Sequence, residues 1–455
     1  MSAGPFVQLP KPLPPTPIEQ FLHPFNQFFR TSAAGGIVLL ASAVAALVWA
    51  NSPWSQSYDY VWHTTVTVRL GASQLSGSLE QWINNGLMAV FFFVVGLEIK
   101  REILVGELTS LRQAMLPAAA AMGGILVPAL CYLALNAGEE WAYGWGVPMA
   151  TDIAFALGIL SLLGNRVPLS LKIFLAALAI VDDLGMVLVV ALFYTAQIHW
   201  AWLGLGAVFF LLLLLANRLG VRYPLVYFIL SLGLCLSFFN AGVHATVAGA
   251  LAAMTIPASR RSDTNSFLIN LRWLTDQFES SVEKKGSCIL RNEEQHSNLQ
   301  AMHSLIICAE SPLQRLEHTL YPWVSFALMP LFALANIGVT LESGLIDSLT
   351  HPVALGIIFG LVVGKQAGVL FFSWLVVRLG WADLPFGVSW RHIHGAACLA
   401  GIGFSMSVFK AWLAFTDPEL FKIAILGVMF ASLLAGLLGW LLLAGTKAPS
   451  DQSAL

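Results

Sequence analysis

The stretch IFLAALAIVDDLGMVLVVALFY, residues Ile173–Tyr194, is almost entirely apolar, yet it carries two adjacent aspartates at its centre, Asp182 and Asp183. Its length matches the roughly 20 apolar residues that an α-helix needs to cross a bilayer core. A carboxylate at the centre of a bilayer costs about 2.5–3.5 kcal/mol on insertion scales. The two side chains therefore cannot face lipid, and must face water, a cation or a positively charged side chain.

The composition of the whole chain agrees with that of this stretch. The 455 residues are 57% hydrophobic and only 11% charged, with a mean hydropathy of +0.76, whereas soluble globular proteins carry roughly 25% charged residues. The net charge of −2 excludes a polybasic nucleic-acid-binding protein. The five cysteines have neither CxxC nor zinc-site spacing, so neither a disulfide framework nor a metal site is predicted.

Apolar segments recur along the chain and predict an all-α polytopic membrane protein with about twelve transmembrane helices. They lie near residues 33–51, 82–104, 114–135, 143–163, 169–195, 200–217, 223–236, 240–257, 320–340, 351–377, 393–415 and 419–445. Residues 1–30 are Pro-rich, lack the apolar core of a signal peptide, and are interpreted as an N-terminal tail. The transmembrane domain is then residues 31–446, followed by a C-terminal tail at 447–455.

The basic residues of the loops predict the orientation of these helices. With the N-terminus in the cytoplasm, the inner loops receive lysines and arginines such as Lys100, Arg101 and Arg112, whereas the outer loops receive only Arg69. An excess of basic residues in short loops marks the cytoplasmic side. We therefore expect both termini to be cytoplasmic.

Two connections between the predicted helices are long. Residues 52–81 include VWHTTVTVRLGASQLSGS, whose β-branched residues and glycine turn favour a small extracytoplasmic β-hairpin over an irregular loop. The exposed edge of such a hairpin can pair with a second copy of the chain. Residues 258–316 hold most of the soluble charge and are interpreted as a cytoplasmic insertion, in which LINLRWLTDQF favours an amphipathic helix.

Three further charged residues lie in apolar segments. Asp152 lies in VPMATDIAFALG, Lys365 lies near the centre of GIIFGLVVGKQAGVLFFSWLVV, and Lys410 lies in GFSMSVFKAWLAF. Lys365 is too central to reach water easily, so we expect a buried acid as its partner. Lys410 is nearer the outer end, and we expect its long side chain to extend to water.

Two segments contain residues that interrupt membrane helices. ATDIAF follows Pro148, and HGAACLAGIGFSMSVF carries three glycines and two serines. Interrupted segments, one in each half of a chain, point to a transport site at mid-membrane, where the broken helix ends carry partial charges. Asp152 and Lys365 are well suited to compensate those charges.

Glu98 and Glu102 form another acidic group, spaced i,i+4 at the predicted cytoplasmic end of the second helix. This pattern is typical of an ordinary charged helix end. It is equally compatible with a negatively charged funnel that concentrates cations and responds to pH.

An ordered set of motifs in this chain resembles the NhaA sodium/proton antiporter family of bacteria. The motifs are FFFVVGLEIKREI, ATDIAFALGIL, LAIVDDLGM, GVHATVAG, RLEH, PLFALANIGV, GKQAG and GIGFSMS. The resemblance covers nearly the whole chain apart from the tails and most of residues 258–312. It implies inverted repeats, two unwound helices that cross at mid-membrane, a homodimer formed through the outer hairpin, and a place in the bacterial inner membrane.

The resemblance also implies roles for particular residues. Asp183 matches the main ion-binding carboxylate, Asp182 its neighbour in binding and proton exchange, and Lys365 the lysine that pairs with the first acid of the doublet. Thr151 and Asp152 match the unwound positions beside the site.

A second group of residues matches positions linked by the family to pH activation: Glu98, Glu102, Glu317 and His244. The chain departs from better-known members at Asn85, where they carry an acid, and at Tyr321, where a histidine is frequent. Lys410 replaces an apolar residue, and the shorter members lack the insertion.

The predicted activity is electrogenic exchange of internal Na⁺, or Li⁺, for external H⁺, with pH regulation and no cofactor. Asp carboxylates, Thr151 and backbone carbonyls supply the oxygen ligands that a hard cation prefers. Burial disfavours a charged carboxylate, so the site is expected to hold either a proton or a sodium ion. The alternative is a sodium-coupled symporter for an organic anion. An enzyme is not expected, because no nucleophile–base pair or catalytic metal set is evident.

Overall fold

In the computed structural model, residues 34–70, 73–106, 109–194, 198–259, 264–285, 293–340 and 345–446 are described here. The predicted tails, 1–30 and 447–455, lie outside the described residues. The described residues form twenty α-helices. In chain order they are α1 Ala34–Ala50, α2 Ser55–His63, α3 Leu79–Trp82, α4 Met88–Val105, α5 Leu111–Asn136, α6 Ile153–Leu162, α7 Leu169–Phe193, α8 Trp200–Arg218, α9 Pro224–Ala241, α10 Ala245–Thr255, α11 Thr264–Lys285, α12 Glu293–Ala309, α13 Pro312–Trp323, α14 Met329–Asn336, α15 Leu345–Thr350, α16 Pro352–Phe359, α17 Lys365–Arg378, α18 Trp390–Ala400, α19 Phe404–Ala414 and α20 Pro418–Ala444.

Several of these helices are joined through short segments of other helix types. A 3₁₀-helix, Glu140–Met149, precedes α6, and a shorter one, Gly164–Arg166, follows it. π-helical segments connect α3 to α4, α13 to α14 and α16 to α17, and they span Ile83–Leu87, Val324–Leu328 and Gly360–Gly364. π-segments are rare and occur frequently at functional sites.

The prediction of an all-α polytopic membrane protein is confirmed. Eight helical spans in the described parts of the chain are long and apolar enough to cross a membrane, and two bent helix pairs bring the number to ten. Two of the twelve predicted segments do not meet this test. Met88–Val105 carries four charged residues at its C-terminal end, and Ala245–Thr255 has only 11 residues.

The predicted hairpin is present. Strand β1, Thr65–Leu70, pairs antiparallel with β2, Ser73–Ser78, in a register that places Thr65 opposite Ser78. Ser78 then caps α3 by accepting a hydrogen bond from the backbone N–H of Gln81, which starts the next helix directly after the strand.

The predicted insertion is largely helical where it is described. The expected amphipathic helix lies within α11, and a second helix, α12, packs against it. The next membrane helix begins at Pro312, earlier than the predicted residue 320. Its N-cap is Ser311, whose hydroxyl accepts from the backbone N–H of Gln314.

The main apolar core draws buried residues from most of the helices, including α1, α4, α7, α14, α18, α19 and α20. Beside it, α5 and α17 approach each other closely at two glycines. A Cβ atom at Gly123 would clash with the carbonyl oxygen of Gly368, and a Cβ atom at Gly368 would clash with the carbonyl oxygen of Gly123. Small residues allow two membrane helices to pack backbone against backbone, so this contact fixes the helix that carries Lys365.

Candidate functional site: two broken helices around a buried aspartate pair

Two interrupted helices cross inside the protein; the sequence predicts the interruptions, and the family resemblance implies the crossing. The chain is extended between Met149 and Ile153, and again irregular between α18 and α19, which bend by 44°. The backbone N–H of Asp152 donates to the carbonyl oxygen of Ile402 at 2.7 Å, and the Thr151 hydroxyl donates to that of Ala400 at 2.8 Å. Polar groups near one break therefore form hydrogen bonds with carbonyl oxygens near the other break. Backbone that is buried in a membrane requires such internal partners.

Asp152 connects the half-helices on the far sides of the two breaks. One of its carboxylate oxygens accepts from the backbone N–H of Phe155 at 3.2 Å, at the start of α6. The other accepts from the hydroxyl and the backbone N–H of Ser405, at the start of α19. Helix N-termini carry a partial positive charge of roughly half a unit each, so this carboxylate compensates two of them.

Lys365 and Asp182 form the buried ion pair that the central position of the lysine predicts. Lys365 Nζ lies 2.7 Å from Asp182 Oδ2, and the side chains are 0% and 2% exposed. Lys365 Nζ also donates to the carbonyl oxygen of Met149, at the C-terminal end of the 3₁₀-helix. The lysine therefore neutralises an acid and a broken helix end together.

The position of Lys365 depends on a feature that the sequence does not predict. The π-helical segment Gly360–Gly364 ends immediately before this residue. Its last glycine faces a proline of α5, since a Cβ atom at Gly364 would lie 3.0 Å from Pro128 Cα. GLVVG has a glycine at each end, but these glycines do not by themselves predict a π-segment.

Asp183 differs from its neighbour in its contacts. It is 5% exposed and makes no hydrogen bond to another described residue. It interacts electrostatically with Asp182, Asp152, Glu98 and Lys410. Asp182 keeps one oxygen, Oδ1, without a hydrogen-bond partner among the described residues. The site thus presents acceptor oxygens that protein donors leave available, which fits a hard monovalent cation or a proton.

The expectation for Lys410 is wrong. This residue is 2% exposed and is among the largest buried side chains of the described chain, so it does not extend to water. The interruption before α19 places the helix inside the core rather than at the protein surface. Lys410 lies within electrostatic range of Asp182, Asp183 and Lys365.

The acidic group of the second helix is joined to Glu317 by an arginine. Arg101 Nη1 lies 2.5 Å from Glu317 Oε1, and Arg101 Nη2 lies 2.9 Å from Glu102 Oε1. Glu98 lies within electrostatic range of Arg101 and of both other carboxylates. The sequence points to the three acids, but not to Arg101 as the cation that lies among them.

The remaining predicted positions lie away from this crossing. The Nε2 atom of His244, at the N-cap of α10, lies 2.9 Å from the carbonyl oxygen of Tyr194. Asn85 donates to the carbonyl oxygen of Gln81 at 3.0 Å within the first π-segment, and Tyr321 is half exposed on α13. His244 therefore has no described contact with the aspartate pair.

Comparisons with known proteins agree with this architecture. A family model described as Na⁺/H⁺ antiporter 1 matches residues 26–443. The chain is 52% identical to the Na(+)/H(+) antiporter NhaA of Oleidesulfovibrio alaskensis over 94% of this chain and 95% of that protein. It is 49% identical to the protein of the same name from Acidithiobacillus ferrooxidans, over 92% and 97%, and 47% identical to that of Koribacter versatilis, over 93% and 91%. The chain therefore belongs to the Na⁺/H⁺ antiporter 1 family.

Proposed function

We propose that the chain exchanges sodium ions for protons across the bacterial inner membrane. The observation that carries the proposal is Asp183, a buried carboxylate without a hydrogen bond to any described residue, beside an Asp182–Lys365 ion pair at the crossing of two broken helices. A buried charge needs a counter-charge. Na⁺ and H⁺ both supply one, and they compete for the same oxygens.

Asp183, Asp182 and Thr151 with nearby backbone carbonyls form the ion site, and Asp152 maintains the crossing around it. Sodium bound between the two carboxylates competes with Lys365 for Asp182. Sodium binding therefore displaces a proton from Asp183. It also makes the ammonium group of Lys365 lose a proton more readily, because that group no longer has Asp182 to itself. The release of more than one proton for each sodium ion makes the exchange electrogenic.

Regulation by pH is assigned to the acidic cluster of Glu98, Glu102 and Glu317 around Arg101, with a contribution from His244. Three carboxylates that share one guanidinium change their net charge as protons bind and leave. The change alters the attraction that the cytoplasmic entrance exerts on cations. Li⁺ is a second substrate, because it is also a small, hard monovalent cation.

Assembly as a homodimer is assigned to the hairpin. A two-stranded sheet leaves the outer edges of both strands open, and an open edge pairs readily with its copy in a second subunit. The distribution of basic residues in the loops supports a cytoplasmic position for both chain termini.

Dye-monitored proton flux in inverted membrane vesicles tests the activity. We expect Na⁺ or Li⁺ to collapse a preformed pH gradient when this chain is present, and to leave it intact in vesicles without the chain. If the gradient responds only after an organic anion is added with sodium, the protein is a symporter and the proposed exchange is wrong.

A further inference from the structure

The helix α18 begins with an unusual cap. In the usual capping box, a Glu or Gln at the third helical position accepts a hydrogen bond from the backbone N–H of the N-cap residue. Here His392 holds that position: its Nδ1 atom accepts from the backbone N–H of Ser389 at 3.1 Å and lies 2.9 Å from Ser389 Oγ. His392 is buried, with 7% exposure. The regulation proposed above does not involve this residue.

The cap fixes the protonation state of the His392 ring. A backbone N–H can bind Nδ1 only through a lone pair, so the neutral ring carries its proton on Nε2. Nε2 is buried and has no hydrogen-bond partner among the described residues. A proton added to Nδ1 would bring two N–H donors face to face and break the bond to Ser389. The cap and a second proton on the ring therefore exclude each other.

The surroundings of the cap favour the neutral ring. The elements packed against α18 are α6, α7, α17 and α20. Their titratable residues nearest the start of α18 are both basic, Lys172 in the first turn of α7 and Arg378 in the last turn of α17. α6 has none, and the others lie at mid-helix or at the far end of their helices: Asp182, Asp183, Lys365, Glu419 and Lys422.

The neighbouring chain segments add no acid that could stabilise a protonated ring. Asp383, in the loop before α18, pairs with Arg112 at 2.8 Å. On α18 itself, Arg391 is exposed and His394 is half-buried. The helix N-terminus contributes a further partial positive charge. A protonated His392 would thus stand among positive charges without a counter-charge.

The far end of α18 is part of the crossing. Its last residue, Ala400, accepts from the Thr151 hydroxyl and lies eight residues beyond His392, about 12 Å along the helix axis. A Cβ atom at Gly401, the next residue, would lie 2.5 Å from Leu361 O, in the π-segment before the buried lysine. A change in the position of α18 therefore reaches both the crossing and the helix that carries the lysine.

We propose that His392 is a proton-sensitive cap, which holds α18 in place when its ring is neutral and releases the first turn of the helix when the ring is protonated. The inference rests on the proposed function. The capped state binds one proton fewer than the released state, so its population falls as the pH drops below about 6.5, where imidazole titrates. The proposed orientation places this end in the cytoplasm, so acidification there loosens α18 and slows sodium/proton exchange.

Two substitutions separate the cap from its titration. His392→Asn places a side-chain oxygen where Nδ1 lies, so it keeps the acceptor but does not titrate. His392→Leu removes the acceptor at every pH. Sodium-driven proton flux of the full chain is measured in inverted vesicles, whose cytoplasmic face meets the buffer, between about pH 5.5 and 8.5. Each rate is divided by the wild-type rate at the same pH, which cancels the contribution of the other titrating groups.

The two variants are expected to diverge from wild type at opposite ends of the pH range. Loss of an N-terminal cap typically shifts the equilibrium of a helix end about fivefold. His392→Asn should match wild type at alkaline pH and exceed it about fivefold at the acid end, where only wild type has lost its cap. His392→Leu should be slower than wild type at alkaline pH and approach it at acid pH.

His394→Asn is the matched control, because it removes an imidazole from the same helix that takes no part in the cap. Its rate relative to wild type should not change with pH. Hydrogen exchange of the purified wild-type protein gives a second readout that requires neither transport nor a substitution. After correction for the intrinsic rate, the backbone amides of residues 389–393 should exchange about fivefold faster at acid pH than at alkaline pH.

A relative rate of His392→Asn that stays constant across the pH range overturns the proposal, and so does an equal rise at acid pH in His394→Asn. If the variants do not fold, unchanged protection of residues 389–393 in wild type overturns it. A wild-type chain without any sodium-driven flux would instead contradict the proposed function, while the hydrogen-exchange measurement still tests the cap. The two failures are therefore distinguishable.

Discussion

Lys365 binds Asp182 through one carboxylate oxygen only: Nζ lies 2.7 Å from Oδ2, while Oδ1 has no hydrogen-bond partner among the described residues. The pair is almost completely withdrawn from solvent. Its two charges therefore depend on each other for stability, and its free oxygen remains available to a third group. Both properties lead to measurable expectations.

Lys365→Met is expected to lower stability as well as activity. Removal of one member of a buried ion pair typically costs about 3–5 kcal/mol, because the other charge is left uncompensated. The double variant Lys365→Met, Asp182→Asn should recover part of that loss. Thermal unfolding in detergent, followed by tryptophan fluorescence, measures both. An unchanged melting temperature in the single variant would show that the pair contributes nothing to stability.

Asp183→Asn is expected to abolish sodium-driven proton flux and to preserve the fold. The carboxylate forms no hydrogen bond to a described residue, so its replacement by a neutral amide of the same shape breaks no protein contact. Flux assays in vesicles and a melting curve test the two halves of this prediction. Asp59→Asn, at an exposed position on α2, is the matched control. Sodium-dependent flux retained by Asp183→Asn would refute the assigned role of this carboxylate.

Thr151→Val should destabilise the crossing of the broken helices. The Thr151 hydroxyl donates to the carbonyl oxygen of Ala400 at 2.8 Å, and a buried acceptor that loses its donor costs about 1–3 kcal/mol. Thr151→Ser keeps the hydroxyl and is expected to behave like wild type. A comparison of the melting temperatures shows whether the hydroxyl or the methyl group of Thr151 stabilises the protein. Equal losses in both variants would assign the effect to packing.

Arg101→Gln should shift the activity profile to more alkaline pH. Without the guanidinium charge, Glu317 loses the group that favours its ionised form. Arg101→Lys keeps the charge and should shift the profile less, although it loses the two-pronged geometry. The measurement is sodium-dependent flux across a pH series. A profile that does not move in Arg101→Gln would exclude the cluster from regulation.

Replacement of the hairpin residues 65–78 by a short Gly-Ser linker should convert the proposed dimer to a monomer. The hairpin contributes the described β-strands, and its edges are the proposed contact. Light scattering of the protein in nanodiscs gives the mass of each form. A truncated protein that remains dimeric would place the interface on the helices instead.

The sequence predicts much of this site because charges in lipid leave few alternatives. Lys365 is too deep to reach water easily, so a buried acid partner follows from energetics, whereas the choice of Asp182 follows from the resemblance to the antiporter family. The glycines of GIGFSMS indicate the break in the eleventh predicted segment. The π-segment before Lys365 cannot be predicted in this way, because a single π-helical turn leaves no distinct period in the pattern of apolar residues.

Lys410 shows where the same reasoning fails. Position along an apolar segment gives depth on the assumption of a straight helix. The break at residues 401–403 divides this segment into two inclined halves and carries Lys410 into the core. Depth estimated from segment position is thus least reliable beside the interruptions that build the site.

The mutual approach of Gly123 and Gly368 constrains how the protein can move. Two backbones in direct contact resist separation, so we expect α5 and α17 to move together. Any rearrangement that opens Asp183 first to one compartment and then to the other then carries Lys365 along with both helices. A spectroscopic label on the outer surface of α5 would therefore also follow the movement of Lys365.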